Sequence, residues 1–146
     1  MSLPGQFRKE NFENILIYHY VEELVGDFRS YINENFRDDD ITNSELPFLL
    51  RIRFKDNTTQ KDLATLFRVS DGHASKTLKK FEDRGFITRK EDPKNRRQKI
   101  VRLTEKGMEK TDEILDYINK WEKLHNMNSD DLKTLKQLLF KLVDDD

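Results

Sequence analysis

Between Asn11 and Phe36 apolar residues recur at 12, 15, 16, 20, 21, 24, 25, 28, 31, 32 and 36. That is the three-and-four spacing of one helical stripe. It predicts a single amphipathic helix over 11–36, about 39 Å long at 1.5 Å per residue. Ile17 and Tyr18 fall off the stripe, so this helix needs a second neighbour. Arg37-Asp38-Asp39-Asp40 ends it in a polar loop. Thr42-Asn43-Ser44-Glu45 has the form of a capping box, a hydroxyl followed three residues later by a carboxylate. Pro47 belongs in a first turn, where a missing N–H costs least. Its position favours a helix start at Asn43 or Ser44, running to about Arg53.

Shorter periods follow. Thr59 caps a helix from Gln60 to Phe67, with Leu63, Ala64 and Phe67 inward. Arg68-Val69 makes a tight turn. Ser70 then caps a helix from Asp71 to Arg84 whose apolar positions are Ala74, Leu78 and Phe81. Gly85 supplies the left-handed stop. Phe86 to Glu91 and Lys99 to Leu103 carry the β-branched residues of two short strands, joined by the loop Asp92-Pro93-Lys94-Asn95-Arg96-Arg97. Thr104 caps a helix from Glu105 to about His125, with Met108, Thr111, Ile114, Leu115, Ile118 and Trp121 on one face. Asn126 to Ser129 breaks it. A last helix, Asp130 to Val143, carries Leu132, Leu135, Leu138, Leu139 and Leu142.

Short helix, tight turn, second helix, glycine stop, strand, loop, strand: this order is a winged helix-turn-helix. The expected fold is mainly α with a small β-hairpin wing, one domain over 1–146. A winged lobe at 42–104 is flanked by long helices at 11–36 and 105–143. The lobe is too small to cover the apolar stripes of both flanks, so these are expected to be dimerisation helices of a homodimer.

Charge changes the picture in one place. The chain of 146 residues carries a net charge of −1. Yet His73 to Arg102 holds eleven Lys or Arg against four acids, a local +7, leaving −8 on the remainder. Such a stretch attracts a polyanion at that place only. In a helix-turn-helix the second helix enters the major groove and its N-terminal residues meet base edges. Those residues are Asp71, Gly72, His73 and Ser75. Ser70 and the helix N-terminus offer donors to a phosphate, and Lys76, Lys79 and Lys80 lie further along, spaced for phosphates. On the wing, Arg89, Lys94, Asn95, Arg96 and Arg97 form a basic finger. Arg96 and Arg97 suit a narrow minor groove, and Asp92 is expected to pair with one of them and hold the loop. A winged lobe that binds another protein is the alternative, but its wing need not be this basic.

Other chemistry finds little support. There is no cysteine, which excludes disulfides and thiolate metal sites. His19, His73 and His125 make no spaced ligand pair, so no metal or other cofactor is expected. Asp38 to Asp40 and Asp144 to Asp146 read as solvated acidic turns. No glycine-rich phosphate loop or isolated apolar carboxylate suggests catalysis. Met1 to Arg8 has no apolar signal core and no run approaches a membrane span, so a cytoplasmic protein with no membrane partner is expected. Tyr18, His19 and Tyr20 are candidates to line a ligand pocket, although packing is the commoner role for such residues. Trp121 is expected in a dimer core.

Several segments together resemble the multiple-antibiotic-resistance regulator (MarR) family. They are Val69-Ser70, Phe81-Glu82-Asp83-Arg84-Gly85-Phe86-Ile87-Thr88-Arg89, Asp92-Pro93-Lys94-Asn95-Arg96-Arg97 and Val101-Arg102-Leu103-Thr104-Glu105-Lys106-Gly107. The motifs span Thr42 to Gly107, and the flanks match by helix order and length. Asn95 departs from the pattern, in which an acid precedes the arginine pair. The resemblance implies a homodimeric transcription regulator, usually a repressor, whose terminal helices interlock. It implies a pseudo-palindromic double-stranded DNA operator and release by a phenolic or other small anionic effector bound between the dimer helices and the DNA-binding lobe. It also implies that Arg97 is the minor-groove arginine and Ser70 to Lys80 the recognition helix.

Overall fold

The computed structural model describes Gly5, residues 7–55 and residues 57–144. A 3₁₀ turn, Lys9–Asn14, precedes helix α1 (Ile17–Asn35). Then come α2 (Leu46–Phe54), β1 (Thr58–Thr59), α3 (Gln60–Phe67) and α4 (Asp71–Asp83). The strands β2 (Ile87–Asp92) and β3 (Asn95–Leu103) follow, and the chain closes with α5 (Glu105–Lys123) and α6 (Ser129–Val143). The fold is mainly helical with a small antiparallel sheet in the order β1-β3-β2.

The core fills the winged lobe and takes in Ile32, Phe36 and Ile41 before it and Ile114 of α5 after it. Leu49, Ala74, Leu78, Phe81, Phe86 and Ile114 are 0% exposed. Phe48 stacks on Phe67 at 4.1 Å and joins α2 to α3. Helix α5 then ties the lobe to α1. Phe28 meets Trp121 edge-on at 5.1 Å, Phe36 meets Tyr117 at 5.3 Å, and Trp121 Nε1 donates to Asp27 Oδ2 at 3.0 Å. Trp121, expected in a dimer core, is therefore engaged within its own chain.

The long first helix is shorter than its periodicity predicts. Ile15 and Leu16 are extended, and α1 starts only at Ile17. In the preceding 3₁₀ turn, Asn14 Nδ2 donates to Asn11 Oδ1 at 3.3 Å. The Tyr20 hydroxyl donates to the Phe12 carbonyl at 2.9 Å and folds the 3₁₀ turn back on α1. The apolar spacing continues through the break and so does not mark it.

At the second helix, Thr42 to Glu45 forms a turn, with Glu45 N–H donating to Thr42 Oγ1 at 3.3 Å. Glu45 is the N-cap residue, so α2 begins at Leu46, two or three residues later than the expected start at Asn43 or Ser44. The box motif operates instead at α3, where Thr59 and Asp62 exchange both bonds, and at α6, between Asn128 and Asp131.

The wing also differs. The six residues expected as a loop contain only two outside the strands, Pro93 and Lys94. The cause is local: Asp92 Oδ1 accepts from Lys94 N–H at 2.9 Å, and Asn95 Oδ1 accepts from Arg97 N–H at 3.2 Å. These side-chain turns spend Asp92 on backbone, so it braces neither arginine. The two-residue strand β1 had no periodicity to reveal it; Thr58 and Thr59 pair with Val101 and Ile100.

Candidate nucleic-acid interface

Helix α4 is positioned by its ends and one buried face. Arg68 adopts a left-handed conformation (φ 53°), and its N–H and that of Val69 return to Thr65 and Ala64 carbonyls. The chain thereby turns from α3 into α4 within three residues. Ser70 Oγ accepts from His73 N–H at 3.1 Å and caps α4. Ala74, Thr77, Leu78 and Phe81 are buried. The opposite face therefore displays Asp71, Gly72, His73, Lys76, Lys79 and Lys80, with Ser75 half-buried beside them. Lys79 pairs with Asp83 at 3.0 Å, and Lys80 lies 3.9 Å from Glu45.

The far end of α4 is fixed by residues that the sequence motifs share. Gly85 has φ 80°. Thr104 Oγ1 donates to the Gly85 carbonyl at 2.5 Å and accepts from Gly107 N–H at 3.1 Å. A Cβ at Gly107 would lie 2.1 Å from the Phe86 carbonyl oxygen, so only glycine lets α5 approach this closely. Thus Arg84-Gly85-Phe86 and Thr104-Glu105-Lys106-Gly107 form one joint that hangs the wing between α4 and α5.

On the wing, Lys94, Asn95, Arg96 and Arg97 are exposed, with Asn95 to Arg97 on the first residues of β3. Arg89 differs from the expectation of a displayed wing cation. Its guanidinium donates to Glu82 and to Gln60, and its side chain is 9% exposed. Strand alternation turns it toward α3 and α4. The Arg89 hydrogen bond holds the Glu82 carboxyl below its ordinary pKa, against the opposing effect of burial.

Behind the lobe, an apolar cleft of about 660 Å³ opens between α1, the start of α2 and α5. Leu24, Phe28, Leu46, Pro47 and Trp121 line it, and Arg29 brings a cation to it. Tyr18, His19 and Tyr20 lie outside that lining. They sit a turn or two too early on α1, and Tyr20 is committed to Phe12. The signal that was available in the sequence is Arg29 beside the apolar stripe of α1, but nothing in the stripe itself says where a neighbouring helix leaves a gap.

Ion pairs tie the segment between α1 and α2 to α4 and to α5. Glu45, buried at the N-cap of α2, accepts from Arg84 at 2.8 Å, and Arg84 also donates to the Asp40 carbonyl. Asp38 meets Lys110 of α5 at 2.5 Å. Burial raises the Asp38 pKa, but hydrogen bonds from Lys110 and Asp40 N–H and the Lys110 charge outweigh it, and the net shift is downward. Burial likewise lowers Lys110, and Asp38 and Glu113 overcome it, so Lys110 is raised.

Comparisons with known proteins agree with this fold. The family model "MarR family" matches residues 41–99. The HTH-type transcriptional regulator BilQ of Clostridium symbiosum is 28% identical over 126 residues, covering 85% of this chain and 88% of BilQ. A crystal structure of MarR superposes with a TM-score of 0.75 at 30% identity, covering 88% of both chains. The fold is also that of Bordetella bronchiseptica BpsR, whose DNA binding is regulated by 6-hydroxynicotinic acid; there the TM-score is 0.70 at 15% identity over 100% of each chain. Among the described residues no helix is long and apolar enough to cross a membrane. The chain belongs to the MarR family and is a DNA-binding transcription regulator of the winged helix-turn-helix type.

Proposed function

We propose that this regulator is a homodimeric repressor that reads a pseudo-palindromic operator and is released by a small aromatic anion. The observation that carries the dimer is α6. None of its residues is buried, yet Leu138, Leu139, Phe140, Leu142 and Val143 all stand on its surface. A patch of that kind marks an interaction surface. Val21, Leu24 and Val25 of α1 are similarly exposed. A two-fold pairing through α1, α5 and α6 presents two α4 helices about one DNA turn apart, roughly 34 Å. Each α4 enters a major groove through His73, Ser75 and Lys76, while Arg96 and Arg97 reach the flanking minor groove.

Release follows from the cleft. Its apolar walls suit an aromatic ring and Arg29 suits a carboxylate. The start of α2 forms one wall, and Glu45 at the N-cap of α2 holds Arg84 at the C-cap of α4. A ligand that shifts α2 against α1 therefore moves the recognition helix. BpsR, a protein of this fold, has its DNA binding regulated by an aromatic acid.

The test is a mobility-shift titration on the protein's own upstream DNA and on duplex enriched from random sequence. Wild type should bind, and 6-hydroxynicotinic acid or salicylate should weaken binding. Arg97→Ala and Lys76→Ala should each lower affinity, the first by removing a minor-groove contact and the second by removing a phosphate contact. Unchanged binding in both variants would remove α4 and the wing from the interface. Duplex binding that ignores both acids would remove the proposed effector class.

A further inference from the structure

The wing and the recognition helix do not close on each other. An open polar cleft of about 350 Å³ lies between them. At its wall is the Arg89 guanidinium, fixed from two sides. Nε and Nη2 donate to Glu82 at 3.4 and 3.3 Å, and Nη1 donates to Gln60 Oε1 at 3.1 Å. These bonds use three of the five N–H donors of a guanidinium, so the group is both oriented and capable of donating further. Lys61 at the start of α3, and Arg97 and Lys99 on β3, line the cleft and are exposed. Ser75 of α4 adds a hydroxyl. Asp71 lines it as well. With Glu82 counted, four cations face two carboxylates, and the cleft stays positive.

The position of the cleft identifies the anion. In duplex DNA the major and minor grooves are separated by one sugar–phosphate strand. A protein with α4 in the major groove and its wing in the adjacent minor groove has that strand running between helix and wing, across this cleft. We propose that the cleft is a seat for one backbone phosphodiester of the duplex, held by Lys61 and Lys99 and backed by Arg89. The seat rests on the reading that α4 and the wing engage neighbouring grooves. It gives Lys61 and Lys99 a positioning role: a phosphate contact fixes register between the two readers and carries no base preference of its own. It also accounts for Arg89, whose side chain points away from the wing tip.

The experiment measures affinity between 50 and 200 mM salt for two duplexes, one enriched from random DNA by the purified protein and one unrelated. The proteins are wild type, Lys61→Gln, Lys99→Gln and Lys123→Gln, the last removing a cation of α5 outside the cleft. Each lost phosphate contact lowers the log–log salt slope by about 0.9, which shrinks the loss of affinity across this salt range about threefold. Both cleft variants should show that lower slope and weaken the two duplexes alike, and Lys123→Gln should keep the wild-type slope. Ethylating single phosphates of the enriched duplex should reveal one position that blocks wild type and no longer matters to Lys61→Gln. Wild-type slopes in the cleft variants, weakening confined to the enriched duplex, or an unaltered ethylation pattern would each overturn the seat while leaving DNA binding standing. A wild type that binds neither duplex overturns the underlying reading instead.

Discussion

The winged lobe and the terminal helices use their apolar residues in opposite ways. In the lobe, α2, α3 and α4 each turn at least two apolar residues into a shared core, and Leu49, Leu78, Phe81 and Phe86 lose all contact with solvent. In α6, five large apolar side chains remain exposed, and in α1 Ile32 is the buried residue. Their amphipathic patterns look alike in sequence. The difference teaches that the winged lobe closes its core within one chain, whereas the flanks leave apolar faces uncovered, which is what the proposed dimer requires. Helix α5 belongs to both: Ile114 sits in the lobe's core and Trp121 packs on α1.

The most disruptive way to break this contrast is inside the lobe. Phe81→Ala empties a fully buried ring site and should cost about 3–5 kcal/mol, read by urea unfolding. A cost under about 1 kcal/mol would mean that the lobe's core is not the seat of its stability. Charging the flank tests the other half. Leu138→Lys combined with Leu142→Lys should leave the far-ultraviolet circular dichroism of the chain in place and make it monomeric in sedimentation. Duplex affinity should then fall about a hundredfold, the avidity of two linked half-sites. A double variant that sediments as a dimer would show that the exposed face of α6 is not the interface.

The smallest effect concerns the seam between the two regions, where Asp38 of the α1–α2 loop holds Lys110 of α5. Both side chains are largely buried, at 9% and 17% exposure. Asp38→Asn should therefore cost about 2 kcal/mol, the worth of a hydrogen bond to a charged group. The pH dependence follows from the directions of the shifts. Asp38 is depressed below 3.8, so its stabilisation is present above that pH and is lost as pH falls through the lower folded value. Lys110 is raised above 10.5, so its share is present below that pH and is lost as pH rises through the folded value. Wild type should lose stability on acidification below about pH 4 more steeply than Asp38→Asn. Parallel acid limbs would show that the pair does not hold the seam.

The elements carried by local signals were legible. Ser70, Thr59 and Thr104 cap the helices that follow them, and Gly85 stops α4, because a cap needs only its own residue and the next few N–H groups. The exposed lysines of α4 and the arginines of the wing were legible for the same reason: once Ala74, Leu78 and Phe81 face inward, the other face is decided. The break at Ile15-Leu16 was hidden because apolar spacing survives it. The hairpin was read four residues too wide because Asp92 and Asn95 could as well have bonded to other side chains.

Arg89 shows where the sequence stops. As a letter it is one more cation in a basic stretch. Its commitment to Glu82 and Gln60 depends on strand pairing that brings 82, 60 and 89 to one place. The cleft behind α2, the polar cleft between α4 and the wing, and the Glu45–Arg84 link are likewise relations between elements distant along the chain. The sequence by itself determined the order of the helices, most of their caps, their inward faces and the basic surface of α4 and the wing, since periodicity and capping are properties of neighbouring residues. Only the tertiary structure decided which cations face solvent, where a cavity is left and which apolar faces stay uncovered. Those depend on packing between elements, and no local pattern encodes it.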